Sequence, residues 1–188
     1  MDRVDDAGPF VATVVLAFGT DPFVRWLLPD PDMYLDYFTR IVRLHGQLTA
    51  AYGGAFGRAD RRGAALWYPP ETHPDSQALA AILGEAGALE RAAGVFGRAA
   101  VYEPTEPFWY LRQIGVDPSL QGRGAGGALM AAGLAEADAA GVPAYLEATS
   151  ERGVQFYERH GFHALAEIRV DDSAPIWPMR RDARPAKG

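Results

Sequence analysis

The feature that most constrains this chain is a glycine-rich segment, residues 121–126, between an apolar run at 108–116 and a helical pattern that continues to residue 140. Closely spaced glycines allow successive backbone N–H groups to turn toward one point. The helix that follows adds the positive end of its dipole. The segment therefore predicts a cradle for a phosphate group, formed by Gln121, Gly122, Arg123, Gly124, Ala125 and Gly126.

Two phosphate-bearing ligands suit such a cradle, the diphosphate of coenzyme A and the pyrophosphate of a dinucleotide. Gly122, Gly124 and Gly127 match the dinucleotide fingerprint, and Glu147 follows at the end of the next predicted strand. That fingerprint starts directly at the end of a strand, whereas here residues 117–121 intervene. Too few residues follow Glu147 for the further strand and helix units of a dinucleotide fold. The pattern disfavours a dinucleotide, and it leaves open a glycine-rich helix start that binds no ligand.

Composition limits the class of protein. With 188 residues, 48% of them hydrophobic, the chain predicts one domain, residues 1–181, followed by a disordered tail at 182–188. Because the sequence has no cysteine, we expect a reducing, cytoplasmic setting. The net charge of −6 argues against a nucleic-acid partner and favours a cationic small molecule. We expect no membrane segment and no metal site, because no apolar run is long enough for a membrane helix and the histidines lack the spacing of a metal pair.

Helical and extended patterns cover most of the chain. Apolar spacing of three and four residues, with start and stop residues at the ends, predicts helices at 7–18, 22–28, 31–46, 79–93, 124–140 and 151–160. Short apolar runs bounded by turn residues predict strands at 55–58, 63–68, 108–116, 144–149, 163–170 and 174–179. Strands and helices thus follow each other along the chain, as in α/β proteins.

Residues around the glycine-rich segment carry a more specific resemblance. This part of the chain resembles the acetyl-CoA signature of the GNAT superfamily of N-acetyltransferases. Five residues match the signature at the same spacing, namely Val116, Pro118, Gln121, Gly124 and Gly126. A later segment resembles a second motif of that superfamily, a short helix that bears a tyrosine and ends in a Gly-Phe turn. Its residues are Phe156, Tyr157, Glu158, Gly161 and Phe162. Together with residues 106–147, these motifs look most like those of puromycin N-acetyltransferase and its bacterial relatives.

The resemblance implies a fold, an activity and a cosubstrate. The implied fold is the GNAT-like acyl-CoA N-acyltransferase fold, in which a central mixed β-sheet splays apart at the acetyl-CoA site and carries helices on both faces. The implied activity is transfer of acetyl from acetyl-CoA to an amine. Two features depart from the family. No strand pattern precedes the first helix, so the first strand is predicted to be missing, and Gly153 stands where many relatives carry an asparagine that holds the pantetheine arm.

In such a fold the pantetheine arm lies in a gap between the strand ending at Val116 and the strand ending at Thr149. The resemblance therefore assigns the backbone at Ile114, Gly115 and Val116 to the arm and to the thioester oxygen. Gly115 allows either a bulge in the strand or a close approach of another segment, or it merely relieves packing. Arg123 supplies a fixed positive charge for the diphosphate, unless it is a solvated surface residue.

Two side chains are candidates for the chemistry. An alkylammonium with a pKa of about 10 must lose a proton before it attacks, and Glu147 is the predicted general base. The alternative is that Glu147 pairs with an arginine, and weaker candidates for the base are Glu106, Asp21 and His45. Tyr157 is either the proton donor to the departing thiolate or a plain core tyrosine. With no cysteine to carry an acyl group, direct attack in a ternary complex is favoured.

The acceptor is predicted to be a primary amine of a small molecule, and the enzyme a monomer or a homodimer. The alternatives are acetylation of a protein N-terminus or lysine, and a binding module that holds acyl-CoA without catalysis. Several aromatic residues form either an acceptor pocket or part of the core. They are Trp26, Tyr34, Phe38, Trp67, Tyr68, Trp109 and Tyr110.

Overall fold

The computed structural model describes residues 1–184 and is built on one central sheet. Its strands are β1 (Asp2–Arg3), β2 (Ala55–Gly57), β3 (Gly63–Tyr68), β4 (Trp109–Val116), β5 (Ala144–Ala148), β6 (His163–Ala164) and β7 (Trp177–Arg181). They lie in the order β1-β2-β3-β4-β5-β7-β6. β4 and β5 are parallel, and the other neighbours are antiparallel. The prediction of an α/β chain with a mixed sheet is confirmed.

Helices connect the strands. They are α1 (Val11–Ala17), α2 (Pro22–Leu27), α3 (Pro31–Met33), α4 (Thr39–Ala51), α5 (Ser76–Glu85), α6 (Leu89–Ala99), α7 (Ala125–Ala140) and α8 (Glu151–Glu158). A π-helical turn, Tyr34–Phe38, joins α3 to α4. Side chains cap several helix starts as the sequence pattern indicates; Asp21, for example, accepts a hydrogen bond from the amide of Val24 at the start of α2.

The helices pack on both faces of the sheet. Successive residues of a strand point to opposite faces. Accordingly, Ala64 of β3 belongs to an apolar cluster shared with α1, α2 and α4–α6, whereas Ala65 and Trp67 belong to a second cluster shared with α7. Trp67 lies so close to α7 that a Cβ atom at Gly133 would be 2.2 Å from its indole nitrogen. A glycine in the middle of this helix thus allows the helix to contact the sheet.

The prediction of a missing first strand is wrong. Asp2 and Arg3 form a short strand that pairs antiparallel with Phe56 and Gly57 of β2. Both residues of β1 are exposed. The strand therefore lacks the apolar alternation from which a strand is predicted.

Two of the predicted helices differ from the structure. Residues 79–93 do not form one helix, because the chain turns at Gly87, where φ is +62°, between α5 and α6. The helix predicted to end near Gly46 continues to Ala51. At Gly46 a Cβ atom would lie 3.0 Å from the Ala7 side chain, so this glycine serves close packing rather than a helix end.

The last two strands are shorter or displaced relative to the predictions. Of residues 163–170, only His163–Ala164 form a strand, and Ile168 makes an isolated bridge to Ile176. β7 begins at Trp177 rather than at residue 174 and continues to Arg181. The predicted disordered tail is described only as far as Arg184, whose amide donates a hydrogen bond to Asp138 at 2.7 Å, and residues 185–188 lie outside the described residues. Within residues 1–184, no helix is long and apolar enough to cross a membrane.

A gap opens between β4 and β5. The two strands are paired only at Trp109 and Tyr110 of β4. Beyond that point β4 follows β3 as far as Val116, with a bulge at Arg112 that leaves this residue without a partner in β3. β5 instead pairs with β7 along its whole length. The carboxyl ends of the two parallel strands therefore diverge, as the resemblance implies.

Candidate active site

The glycine-rich loop enters α7 through two residues of left-handed backbone conformation. The φ angles are +75° at Gly122 and +84° at Gly124, and Gly124 is the N-cap of α7 without a side-chain hydrogen bond. In the described part of the chain, no backbone carbonyl accepts a hydrogen bond from the amides of residues 122–126. The side-chain amide of Gln121 donates a hydrogen bond from Nε2 to the Val116 carbonyl at 3.2 Å and connects the loop to the end of β4. Unpaired amides at the N-terminus of a long helix form an anion site.

The other members of the loop lie on either side of these amides. Arg123 is exposed, where its charge is available to a bound anion. Ala125 is buried in the second apolar cluster and anchors the first turn of α7. At Gly126 a Cβ atom would lie 3.5 Å from the ring of Phe156, an ordinary contact. The loop therefore lies against α8.

The segment of β4 assigned to the pantetheine arm has one edge paired and one edge facing the gap. Ile114, Gly115 and Val116 pair with β3, and no strand of the described chain pairs with their other edge. In a strand, alternate amides point to opposite edges, so part of this backbone faces the gap. Gly115 is not the site of the bulge, which lies at Arg112. Its glycine is needed instead for the close approach of α1, because a Cβ atom there would lie 3.0 Å from Cα of Val14.

A cavity of about 80 Å³ lies at this gap and is here called the inner cavity. It brings together the two predicted catalytic residues, Glu147 of β5 and Tyr157 of α8. Its other polar lining residues are Arg112, Gln113 and Thr149, and apolar residues of the surrounding helices and of β4 complete it. A small cavity that holds a carboxylate and a phenol in an apolar surrounding is suited to proton transfer.

Glu147 is buried and hydrogen-bonded. Its side chain is 5% exposed, Oε2 accepts a hydrogen bond from the Tyr110 hydroxyl at 2.7 Å, and Nη1 of Arg112 lies 3.8 Å from the same oxygen. Burial raises the pKa of Glu147, while the charge of Arg112 and the hydrogen bond from Tyr110 oppose that rise. The predicted arginine partner is therefore present, and it leaves Glu147 with a pKa above its ordinary value.

His45 supports this arrangement from α4. Its Nδ1 lies 2.8 Å from the Tyr68 hydroxyl, and Arg112 donates from Nε to its Nε2 at 3.4 Å. Complete burial and the neighbouring guanidinium lower the pKa of His45 well below its ordinary value. A neutral imidazole that accepts from Arg112 holds the guanidinium in place. His45 does not line the inner cavity, which argues against it as the base.

Tyr157 is a partly buried phenol that senses the charge of the partly buried carboxylate of Asp21. Burial and the charge of Asp21 raise its pKa above the ordinary value, so the phenol is protonated at neutral pH. Asp21 accepts hydrogen bonds from the Thr149 hydroxyl and from the Val24 amide, and burial raises its pKa. Near Tyr157, a Cβ atom at Gly153 would be 3.5 Å from the phenol ring.

A larger cavity of about 760 Å³, here called the outer cavity, reaches Glu147 together with Tyr110 and Arg112. It lies against the loops on either side of α5 and α6, which contribute His73 and three carboxylates. These carboxylates are Glu71, Glu103 and Glu106. One of them, Glu106, is paired with Arg180 at 2.7 Å, so this candidate for the base is neutralised at the surface.

Most of the aromatic residues considered for an acceptor pocket belong to the core. Trp67 and Tyr68 are completely buried, and Trp109 and Tyr34 are nearly so. Of the seven, Phe38 lines the inner cavity and Tyr110 the outer one. The core alternative thus holds for the larger part of this set, because regular spacing in a strand or helix marks a buried face more often than a ligand site.

Known proteins share a family profile and the fold with this chain. The acetyltransferase (GNAT) domain profile matches residues 83–164. A protein from Corynebacterium glutamicum, described as histone acetyltransferase HPA2 and related acetyltransferase, is 31% identical over 96% of this chain and 94% of its own, with a TM-score of 0.65. The chain belongs to the GNAT acetyltransferases.

Other GNAT structures share the fold at lower identity. Arylalkylamine N-acetyltransferase 2 from Aedes aegypti is 13% identical over 94% of each chain, with a TM-score of 0.66. Agmatine N-acetyltransferase is 17% identical over 94% of each chain, with a TM-score of 0.59. Membership of the GNAT acetyltransferases implies acyltransferase activity with acetyl-CoA as the cosubstrate. Within residues 1–184, no group of three His, Cys, Asp or Glu residues is placed to hold a metal ion.

The GNAT signature in the sequence did not point to every polar residue at the gap. Arg112 and Gln113 line the inner cavity, and Tyr110 bonds Glu147, but Arg112 and Gln113 were not candidates, and Tyr110 was considered only for an acceptor pocket. A signal was present, since an arginine and a glutamine are unusual within an otherwise apolar strand. The position of Arg112 beside Glu147 depends on the bulge in β4 and on His45 of α4, and neither follows from the local sequence pattern.

Proposed function

We propose that this GNAT protein transfers the acetyl group of acetyl-CoA to a primary amine of a small molecule, by direct attack in a ternary complex. The observation that carries the proposal is the inner cavity, which places a buried carboxylate, Glu147, and a protonated phenol, Tyr157, at the opening between β4 and β5. The amine and the thiol need opposite proton transfers. A base and an acid at one small cavity supply both.

The residues present fit acetyl-CoA, which would supply the acetyl group as a thioester. The diphosphate would be held by the unpaired amides of the loop, with the exposed charge of Arg123 beside them. The free edge of β4 would hold the arm through backbone hydrogen bonds. The proposed binding residues are Ile114, Gly115, Val116, Gln121, Gly122, Arg123, Gly124, Ala125 and Gly126.

Glu147 is the proposed general base. An ammonium ion in the outer cavity meets the carboxylate where this cavity reaches the inner one. Because its pKa is raised, Glu147 is a stronger base than an exposed carboxylate, and Arg112 and the hydrogen bond from Tyr110 favour its ionised form. It accepts the proton that the amine must lose before its lone pair can attack the thioester carbon.

Tyr157 is the proposed acid. When the carbon–sulfur bond breaks, the electron pair remains on sulfur, and the thiolate takes a proton from the phenol. Because its pKa is raised, Tyr157 keeps this proton until the thiolate forms. The phenolate then takes the second proton from the amine nitrogen, and the products are the N-acetylated amine and free coenzyme A.

The outer cavity supports a cationic amine as the acceptor. Four carboxylates and one guanidinium line it, namely Glu71, Glu103, Glu106, Glu147 and Arg112. Glu106 is paired with Arg180, and the other three carboxylates exceed the single charge of Arg112. Its size is in the usual range for small-molecule sites, roughly 300–1,000 Å³. Two neighbours of the same fold are named for amines, agmatine and arylalkylamines, and the sequence motifs look most like those of puromycin N-acetyltransferase. The Corynebacterium relative, whose description mentions histone acetyltransferase HPA2, makes a protein acceptor the second candidate.

The catalytic role of Tyr157 is tested by Tyr157→Phe, with thiol release measured on a panel of small amines and on peptides. We expect kcat to fall about tenfold or more, because the phenol no longer donates a proton, while the Kd for acetyl-CoA is unchanged. Tyr52→Phe, at an exposed tyrosine, is the control and should leave kcat unaltered. Unchanged turnover in Tyr157→Phe would reject the role of the phenol. In the wild-type protein, release of thiol with peptides alone would select the protein acceptor. Tight binding of acetyl-CoA by the wild-type protein without release of thiol would select a non-catalytic module.

A further inference from the structure

Gln113 lines the inner cavity and carries a buried side-chain amide oxygen. The residue is 6% exposed, and its Oε1 atom is buried without a hydrogen-bond partner within residues 1–184. Buried acceptors are almost always paired, because an unpaired one loses its hydration without compensation. An unpaired acceptor at a cavity wall points to a ligand that donates a hydrogen bond.

The other polar side chains at this cavity already have partners or an assigned proton. Glu147 accepts from Tyr110, and the Thr149 hydroxyl donates to Asp21. Tyr157 retains its proton for the thiolate under the proposed function. The position of Gln113 next to the bulge is also typical of a functional residue, since bulges beside active sites redirect side chains. The terminal torsion of a glutamine has a broad minimum, so Oε1 turns toward the cavity at little cost.

We propose that Gln113 Oε1 accepts a hydrogen bond from the second N–H of the acceptor amine and thereby makes the enzyme selective for primary over secondary amines. The inference rests on the proposed function and deepens it by naming a residue that makes the site selective for primary amines. A neutral primary amine has a lone pair and two hydrogens. The lone pair attacks the thioester carbon, one hydrogen leaves as a proton to the Tyr157 phenolate that forms when sulfur takes the proton of the phenol, and the other remains in the product amide.

Only the retained hydrogen can be bonded to Gln113 throughout the reaction. A secondary amine has a single hydrogen, which must be lost from the nitrogen after attack, and it presents an alkyl group to Gln113 instead. That alkyl group leaves the buried acceptor unpaired. A primary amine therefore gains a hydrogen bond in the transition state that a secondary amine does not make.

The test compares a primary amine with its N-methyl derivative in the full-length wild-type protein, Gln113→Met and Gln113→Glu. Tyramine and N-methyltyramine are the probes, or, if another amine in a panel reacts faster, that amine and its N-methyl derivative. Wild type should prefer the primary amine by about tenfold or more in kcat/KM, the factor expected for one hydrogen bond. Gln113→Met removes the acceptor at similar volume, and the preference should fall to about twofold or less through loss of the primary-amine rate. Gln113→Glu keeps an acceptor oxygen and should keep the preference.

Each other outcome has a definite meaning. Full preference in Gln113→Met, or an equal loss for both amines, would overturn the role in selectivity. A raised KM for acetyl-CoA in Gln113→Met would also overturn it, because Gln113 would then contact the pantetheine arm. Thermal unfolding of the variants shows whether a loss reflects folding. No thiol release by wild type with any amine would reject the proposed function itself, and this inference with it.

Discussion

At the scale of the residue, Glu147 is subject to two opposing influences. Burial raises its pKa, and the guanidinium of Arg112 with the Tyr110 hydroxyl lowers it. Arg112 is in turn held by His45, which burial keeps neutral. The balance matters because a base must be ionised at the working pH and still take a proton from an ammonium.

Removing the guanidinium of Arg112 should favour the protonated form of Glu147. In Arg112→Met the pKa of Glu147 rises, because the charge that lowers it is gone. The acidic limb of the pH profile of kcat/KM, below which the base is protonated, should therefore move to higher pH by roughly one unit or more. Arg40→Met, which removes an arginine paired with Glu85 at the surface, is the control and should leave the limb in place. An unmoved limb in Arg112→Met would show that Glu147 is not the titrating base.

At the scale of the element, α7 has a left-handed glycine at each end. Gly124 precedes its first residue with φ +84°, and Gly141 follows its last with φ +68°. At neither position would a Cβ atom meet a neighbour within 4 Å. The cost of alanine at either end is therefore backbone strain alone, about 1–2 kcal/mol. The two ends differ in function, since only the first presents unpaired amides.

This symmetry provides a matched pair of variants. Gly124→Ala and Gly141→Ala should lower the free energy of unfolding by similar amounts. Only Gly124→Ala should weaken acetyl-CoA binding, by up to about tenfold. The alanine would relieve its backbone strain by turning the loop amides away from the diphosphate site, and binding would have to bring the strained conformation back. Calorimetric titration with acetyl-CoA measures the difference. Equal affinity in the two variants would mean that the loop amides do not hold the diphosphate.

The same scale shows what the sequence can and cannot predict. β4 and α7 follow from their apolar patterns, and the resemblance located Glu147 and Tyr157, which the structure brings to one cavity. β1 was missed because two exposed residues carry no pattern, and its pairing depends on distant β2. The turn at Gly87 was missed because a lone glycine fits a helical pattern as well as a break.

Gln113 and Arg112 illustrate the same limit within the site. Their residue types are visible in the sequence, but their meaning depends on tertiary structure. The bulge in β4 sets the register against β3, and α4 supplies His45 as the partner of Arg112. Neither the bulge nor this contact between distant segments leaves a periodic signal, so the polar network becomes visible only in the folded chain.

At the scale of the whole molecule, two cavities meet at Glu147 and Arg112. The inner one lies at the gap between β4 and β5, next to the proposed cosubstrate site, and the outer one lies between acidic loops. The fold thus offers separate places for the proposed acyl donor and the proposed amine, with Glu147, the proposed base, between them. This arrangement favours a complex in which both substrates are bound before transfer.

Initial rates of thiol release, measured with wild-type protein while acetyl-CoA and a small cationic amine are both varied, test this account most directly. Attack in a ternary complex predicts double-reciprocal lines that intersect. Parallel lines, or saturable binding of acetyl-CoA with no thiol released by any amine, would contradict it.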